Sequence, residues 1–150
     1  MILLEDKLIK FIVESDVIEW EEGREVNTAA LQFFLTHSLN EENVLLYHKA
    51  IVGDEKRAGK YRDIQVYIGN HIPPAPSVVP VHMKWFFEDI RMMDSRKTHN
   101  RFEHIHPFQD FNGRIWRAIW LHIAMNNEGY NFEIPFLQKY YYQTLDSYQC

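Results

Sequence analysis

An all-α fold carrying one short β-hairpin is what this sequence predicts, and three observations predict it. Apolar residues recur at three-to-four spacing along most of the chain. Cap-forming residues stand where those runs begin. A single alternating stretch, Ile64, Val66 and Ile68 between Gln65 and Tyr67, breaks the helical period and runs into Gly69-Asn70, a turn pair.

The elements follow in order. Leu4, Leu8, Phe11 and Ile12 share one helical stripe, continued by Ile18, so a helix is expected over residues 3 to 20. Asn27-Thr28 reads as a cap before a helix over Ala29 to Leu35. The run Ser38-Leu39-Asn40-Glu41-Glu42 is a stronger start, because acids in a first turn favour the positive end of the helix dipole; Val44, Leu45 and His48 follow. Gly53 and Gly59 bracket a loop. A hairpin is expected over residues 61–70. Beyond it, Ile72-Pro73-Pro74-Ala75-Pro76 is unfit for helix or central strand, since proline lacks the N–H that both require. Helices are expected again over Val81 to Met93, with Met83, Phe86, Phe87 and Ile90 on one side, then over Arg96 to Ile105 and Asn112 to Asn126. Gly129 would stop the last of these, and a final helix is expected over Phe136 to Tyr148.

The 150 residues suit a single domain, 1–150, able to bury a core, and 46% hydrophobic with 15% aromatic content argues for a folded chain. A nucleic-acid binder normally shows a basic face, and with a net charge of −5 direct nucleic-acid binding is not expected. Cys150 is the one cysteine, which excludes an internal disulfide and a cysteine zinc site. The N-terminal apolar run is broken by charges within a few residues, unlike a signal peptide, and no segment approaches the roughly 20 apolar residues that span a bilayer. A cytoplasmic protein without a membrane partner is the simplest expectation.

The chemistry concentrates in residues 106–117, His106 to Arg117. Pro107 and Gly113 flank a short loop that feeds directly into a helix at Asn112. The first N–H groups of a helix lack internal partners and sit at the positive end of its dipole, so they attract anions, most readily where a glycine allows close approach. Arg114 and Arg117, three apart, share a helix face and can grip phosphate oxygens in two-pronged fashion. Asp110 is a hard oxygen donor suited to Mg²⁺ bound jointly with phosphates. His106 can serve as a general base. Any one of these residues taken singly is more often structural; their conjunction is what points to phosphoryl or nucleotidyl transfer, which depends on positioning and charge stabilisation. His104 and His106 also form a spaced pair, but no third and fourth ligands stand at a zinc-like spacing. Phe102, Ile105 and Phe108 read as core.

The segment His-Pro-Phe-Gln-Asp-Phe-Asn-Gly-Arg-Ile-Trp-Arg resembles the Fic motif, H-x-F-x-[D/E]-G-N-G-R-x-x-R. The likeness extends over roughly residues 12 to 148. Gly59-Lys60-Tyr61-Arg62, Val66 and the Pro73–Pro76 run are similar to the family's flap and its sequel, and His99, Phe102, Ile105 and His106 to its lead-in helix. The resemblance implies a Fic-type helical bundle with a β-hairpin flap, acting as a protein adenylyltransferase. His106 would take the proton from a Tyr, Ser or Thr hydroxyl of a target protein, which attacks the α-phosphate of ATP. Asp110 would hold Mg²⁺, and Asn112 and Gly113 would help form the anion hole beside Phe111. Arg114 and Arg117 would bind the β- and γ-phosphates. Flap residues Ile64, Gln65, Val66 and Tyr67 would dock the target by main-chain pairing. Automodification and an oligomer are compatible with it.

Two departures stand out. Phe111 replaces the first motif glycine; if that position has positive φ, a phenylalanine there costs about 1 kcal/mol or more. A catalytically impaired nucleotide-binding regulator, or a transferase using another donor, is the alternative this raises. Asn112-Gly113-Arg114 differs from the Asn-Lys-Arg of the related phosphate-transferring Doc type and so favours AMP transfer. Upstream, Ser15 and Glu19 fit the family's inhibitory pattern [S/T]-x-x-x-E-[G/N], with Trp20 in its last place. Their position resembles the subclass with an N-terminal inhibitory helix, here residues 1–20, in which the glutamate holds the arginine equivalent to Arg117.

Overall fold

The computed structural model describes Ile12 and residues 27–127. The helix expected over residues 3 to 20, with Ser15 and Glu19, and the features at Gly129, Phe136 to Tyr148 and Cys150 lie outside the described residues, Ile12 excepted. Five α-helices form the described part: α1 (Thr28–Thr36), α2 (Glu41–Val52), α3 (Val79–Asp89), α4 (Ser95–Ile105) and α5 (Asn112–Asn127). Short 3₁₀ turns, Pro76–Val78 and Ile90–Met92, lead into α3 and out of it.

Three of the helix starts share one device. Asn27, Asn40 and Asp94 each accept from a backbone N–H three residues on, at 3.0, 2.9 and 2.8 Å. Each satisfies one of the donors that a helix start leaves without partner. Helix α2 ends at Gly53, φ 90°, whose N–H donates to the Lys49 carbonyl at 3.0 Å. Helix α3 begins two residues ahead of expectation, at Val79, with Pro80 in its first turn, where a missing N–H costs nothing.

Helix α5 is the axis of the core. Every residue from Ile115 to Ala124 is buried, including Trp116, Trp120, Arg117 and His122. A helix buried on all sides must be surrounded rather than laid on a surface, and α1, α2 and α4 pack on it. Leu31 and Phe34 of α1, Val44 of α2, Met83 and Phe86 of α3, and Phe102 and Ile105 of α4 complete the apolar centre, with Ile12 packed against it.

The expected hairpin is reduced to one bridge. Ile68 and His71 exchange both backbone hydrogen bonds, at 3.0 and 2.9 Å, across Gly69-Asn70, with Gly69 at φ 56°. No regular strand extends from it among the described residues. In this register the next hydrogen-bonded rung would join Val66 to Pro73, and Pro73 has no N–H to give. The Gln65 side-chain amide takes that place, donating to the carbonyls of Val66 at 3.1 Å and Pro73 at 2.9 Å. The alternation of Ile64, Val66 and Ile68 thus describes an extended segment closed by a side chain rather than a ladder.

Candidate active site

The loop of interest hangs between two helix ends. His106 closes α4 in the left-handed region, φ 47° and ψ 65°, with its N–H donating to the Phe102 carbonyl at 2.9 Å. Phe111 opens α5: its carbonyl accepts from Ile115 N–H at 2.9 Å. It too is left-handed, φ 69°. The motif position held by Phe111 therefore does require positive φ, and a phenylalanine occupies it at a conformational cost of about 1 kcal/mol or more. Its ring is buried. The Arg114 guanidinium lies 3.7 Å from the ring centre, in cation–π range, and His48 meets the ring edge-on at 6.2 Å.

Asn112 serves the loop with its side chain. The Asn112 amide donates to the Phe108 carbonyl at 2.8 Å and accepts from Phe108 N–H at 2.9 Å. The amide is thereby engaged by Phe108 at its nitrogen and at its oxygen, and the backbone N–H of Asn112 is the group that the helix start offers to an anion. Phe111 offers no side-chain oxygen to cap α5, so it does not compete with an anion for the first-turn N–H groups of Asn112 and Gly113. Arg114 and Arg117 follow on the first turns, Arg117 being buried.

His106 is partly buried, and its Nδ1 is fully enclosed with no hydrogen-bond partner among the described residues. Burial, and after it the neighbouring Arg62 and His71, push its pKa down to about 4. The imidazole is neutral at ordinary pH, as a proton acceptor must be. Asp110 holds a different kind of partner. Arg57 donates from Nε to Oδ1 at 2.8 Å and approaches Oδ2 through Nη2 at 2.8 Å. The carboxylate is 43% exposed. Among the described residues no group of three or more His, Cys, Asp or Glu could hold a metal ion by itself. One accessible carboxylate beside an anion site fits Mg²⁺, which takes its remaining oxygens from phosphates and water.

Four residues for which the sequence suggested no role at the site hold this arrangement. Arg62, buried, donates through Nε to the His106 carbonyl at 2.7 Å, through Nη1 to Ile64 at 2.9 Å, and through Nη2 to Pro74 at 2.6 Å and Ile105 at 3.1 Å. Its own N–H donates to the Pro107 carbonyl at 2.9 Å. Arg62 therefore ties the flap segment to the loop that follows His106. The flap is held a second time by His71, whose Nε2 meets the His104 carbonyl at 2.9 Å. His48, buried under Phe108 at a ring separation of 4.0 Å, accepts the Gly59 N–H on Nδ1 at 2.9 Å. Burial lowers its pKa to about 4. Arg57 is the fourth. Of the predicted flap residues, Ile64 and Tyr67 are exposed, while Gln65 and Val66 are half-buried.

A helical frame with a loop running from a neutral histidine to a helix start lined by two arginines defines a class of domain. The chain belongs to the Fic/DOC family, which it matches over residues 38–124. It is 29% identical over 111 residues to a protein adenylyltransferase Fic of Nematostella vectensis, covering 67% of this chain and 26% of that protein. It is 33% identical over 89 residues to one of Drosophila mojavensis, covering 52% and 18%. The chain thus spans about a quarter or less of these relatives. Among solved structures, a Fic family protein from Desulfovibrio desulfuricans superposes with TM-score 0.63 at 22% identity, covering 82% of this chain and 49% of that one. A Fic domain containing signaling protein from Bacteroides thetaiotaomicron superposes with TM-score 0.56 at 21% identity, covering 78% and 53%. These two establish a shared fold. No helix among the described residues is long and apolar enough to cross a membrane.

Proposed function

We propose that this chain transfers AMP from ATP to a hydroxyl of a protein. The observation that carries the reading is the neutral His106 at one end of a loop whose other end is the start of α5, followed by Arg114 and Arg117. The names of the relatives, protein adenylyltransferase, point the same way.

In this reading His106 accepts the proton as the hydroxyl oxygen bonds to the α-phosphorus. The bond from that phosphorus to the bridging oxygen breaks, and pyrophosphate leaves. The N–H groups of Asn112 and Gly113 stabilise the charge gathering on the α-phosphate, and Arg114 and Arg117 hold the departing phosphates. Asp110 is the residue that would hold Mg²⁺, whose charge offsets that of the phosphates. Ile64 and Tyr67, exposed at the flap, suit contact with an extended target segment. Ser15 and Glu19 would belong to an inhibitory segment acting on Arg117. Glu19→Gly should then raise labelling, Arg117→Ala should lower it, and the double variant should resemble Arg117→Ala.

The direct test is incubation with α-labelled ATP and Mg²⁺, wild type beside His106→Ala, with candidate targets and with the chain alone to detect automodification. Label on protein that vanishes in the variant supports the reading. Transfer of γ-label in place of α-label would replace it with phosphate transfer.

A further inference from the structure

We propose that Arg57 is a resident counter-ion of Asp110, which withholds this carboxylate from Mg²⁺ until nucleotide phosphates draw the guanidinium away. The inference rests on the reading of Asp110 as the metal ligand. Both carboxylate oxygens face Arg57, at 2.8 Å each, through two nitrogens of the guanidinium fork. A cation so placed competes with a metal for the same lone pairs.

The surroundings favour exchange over permanent pairing. The Arg57 side chain is 27% exposed and that of Asp110 43%, so neither charge is sealed from water and separating them is inexpensive. Arg57 sits on a loop between two left-handed glycines, Gly53 at φ 90° and Gly59 at φ 70°. The hydrogen bonds within it are short-range: Glu55 N–H to Gly53, Ala58 N–H to Glu55 and Lys60 N–H to Arg57. The Nη1 nitrogen pairs with Glu55 of the same loop, so the guanidinium keeps an anchor after leaving Asp110. Its centre is also 5.9 Å from the Phe111 ring, on the residue that opens α5. A phosphate arriving at that helix start offers Arg57 an equivalent forked partner, while Asp110 passes to the divalent ion. The exchange keeps every charge paired.

The test is ATP binding by titration calorimetry across a Mg²⁺ series, on the full chain, for wild type, Arg57→Gln, Arg57→Lys and Asp110→Asn. Binding of Mn²⁺ followed by its electron paramagnetic resonance signal reads the metal directly. Arg57→Gln should lower the Mg²⁺ concentration at half-effect by roughly twofold to fivefold, the size a half-exposed ion pair carries, and weaken ATP binding without metal. Arg57→Lys, which keeps the charge and loses the fork, should fall between it and wild type, with Asp110→Asn insensitive to Mg²⁺. An unchanged midpoint in folded Arg57→Gln, with Asp110→Asn insensitive, would overturn the inference and leave the metal reading standing. Wild-type Mg²⁺ sensitivity in Asp110→Asn would overturn both.

Discussion

Arg114 rests its guanidinium 3.7 Å above the ring of Phe111, the residue that holds the left-handed turn three positions earlier. Backbone strain and side-chain packing oppose each other at Phe111. Glycine at this φ relieves about 1 kcal/mol or more, while removing a buried phenyl ring costs about 3 kcal/mol or more. Phe111→Gly should therefore lower the thermal midpoint by several degrees. At the same time it takes the ring from beneath Arg114, and ATP affinity should rise. Calorimetry of unfolding and of binding on one preparation separates the two effects; a more stable variant would show that the ring contributes little.

His106→Ala should reduce transfer by roughly 10²- to 10⁴-fold, the worth of a general base, and leave ATP affinity nearly unchanged. Because the imidazole titrates near 4 and not near 6.5, kcat/KM should carry no His106 limb between pH 7.5 and 5.5. An acid limb centred near pH 6.5 that disappears with the variant's background subtracted would contradict this environment for the ring.

Arg62→Lys should destabilise the protein although it preserves charge. A lysine cannot present the fork that reaches four carbonyl oxygens, and buried carbonyls left without donors cost about 1–3 kcal/mol each. Limited proteolysis should cut the variant first between residues 62 and 76. Wild-type resistance there would show that the His71 contact holds the segment alone.

Acid should weaken the fold in a defined window. His48 and His99 are buried, and burial lowers each from 6.5 to about 4. Between those values the unfolded chain binds protons that the folded chain refuses, so stability falls as pH drops, by up to about 1.4 kcal/mol per pH unit for each. Above about pH 6.5 neither contributes a slope. Urea unfolding at pH 7.5 and 5.0 should show a smaller loss for His99→Gln than for wild type; equal losses would remove His99 from the account.

The helices were legible in the sequence because their signals are local. Asn27 and Asn40 act three residues away, and the buried faces repeat within a turn. The candidate site from His106 to Arg117 was legible because its groups crowd into one short run. Arg57, Arg62 and His48 were not, since their partners lie 53, 44 and 11 residues away and most are backbone atoms, which no residue pattern records. The hairpin misled for a related reason: alternation marks an extended segment, whereas the ladder depends on what opposes it, and Pro73 opposes Val66.

The joint made by Arg62 has a consequence for variation. Its guanidinium grips only main-chain oxygens, those of residues 64, 74, 105 and 106. The side chains of Ile64 and Pro74 are therefore free to drift without loosening it, so the exposed face of this segment can change while His106 stays in register. Arg62 and His71 both fix the segment through main-chain oxygens, so side-chain variation along its exposed face leaves both joints intact.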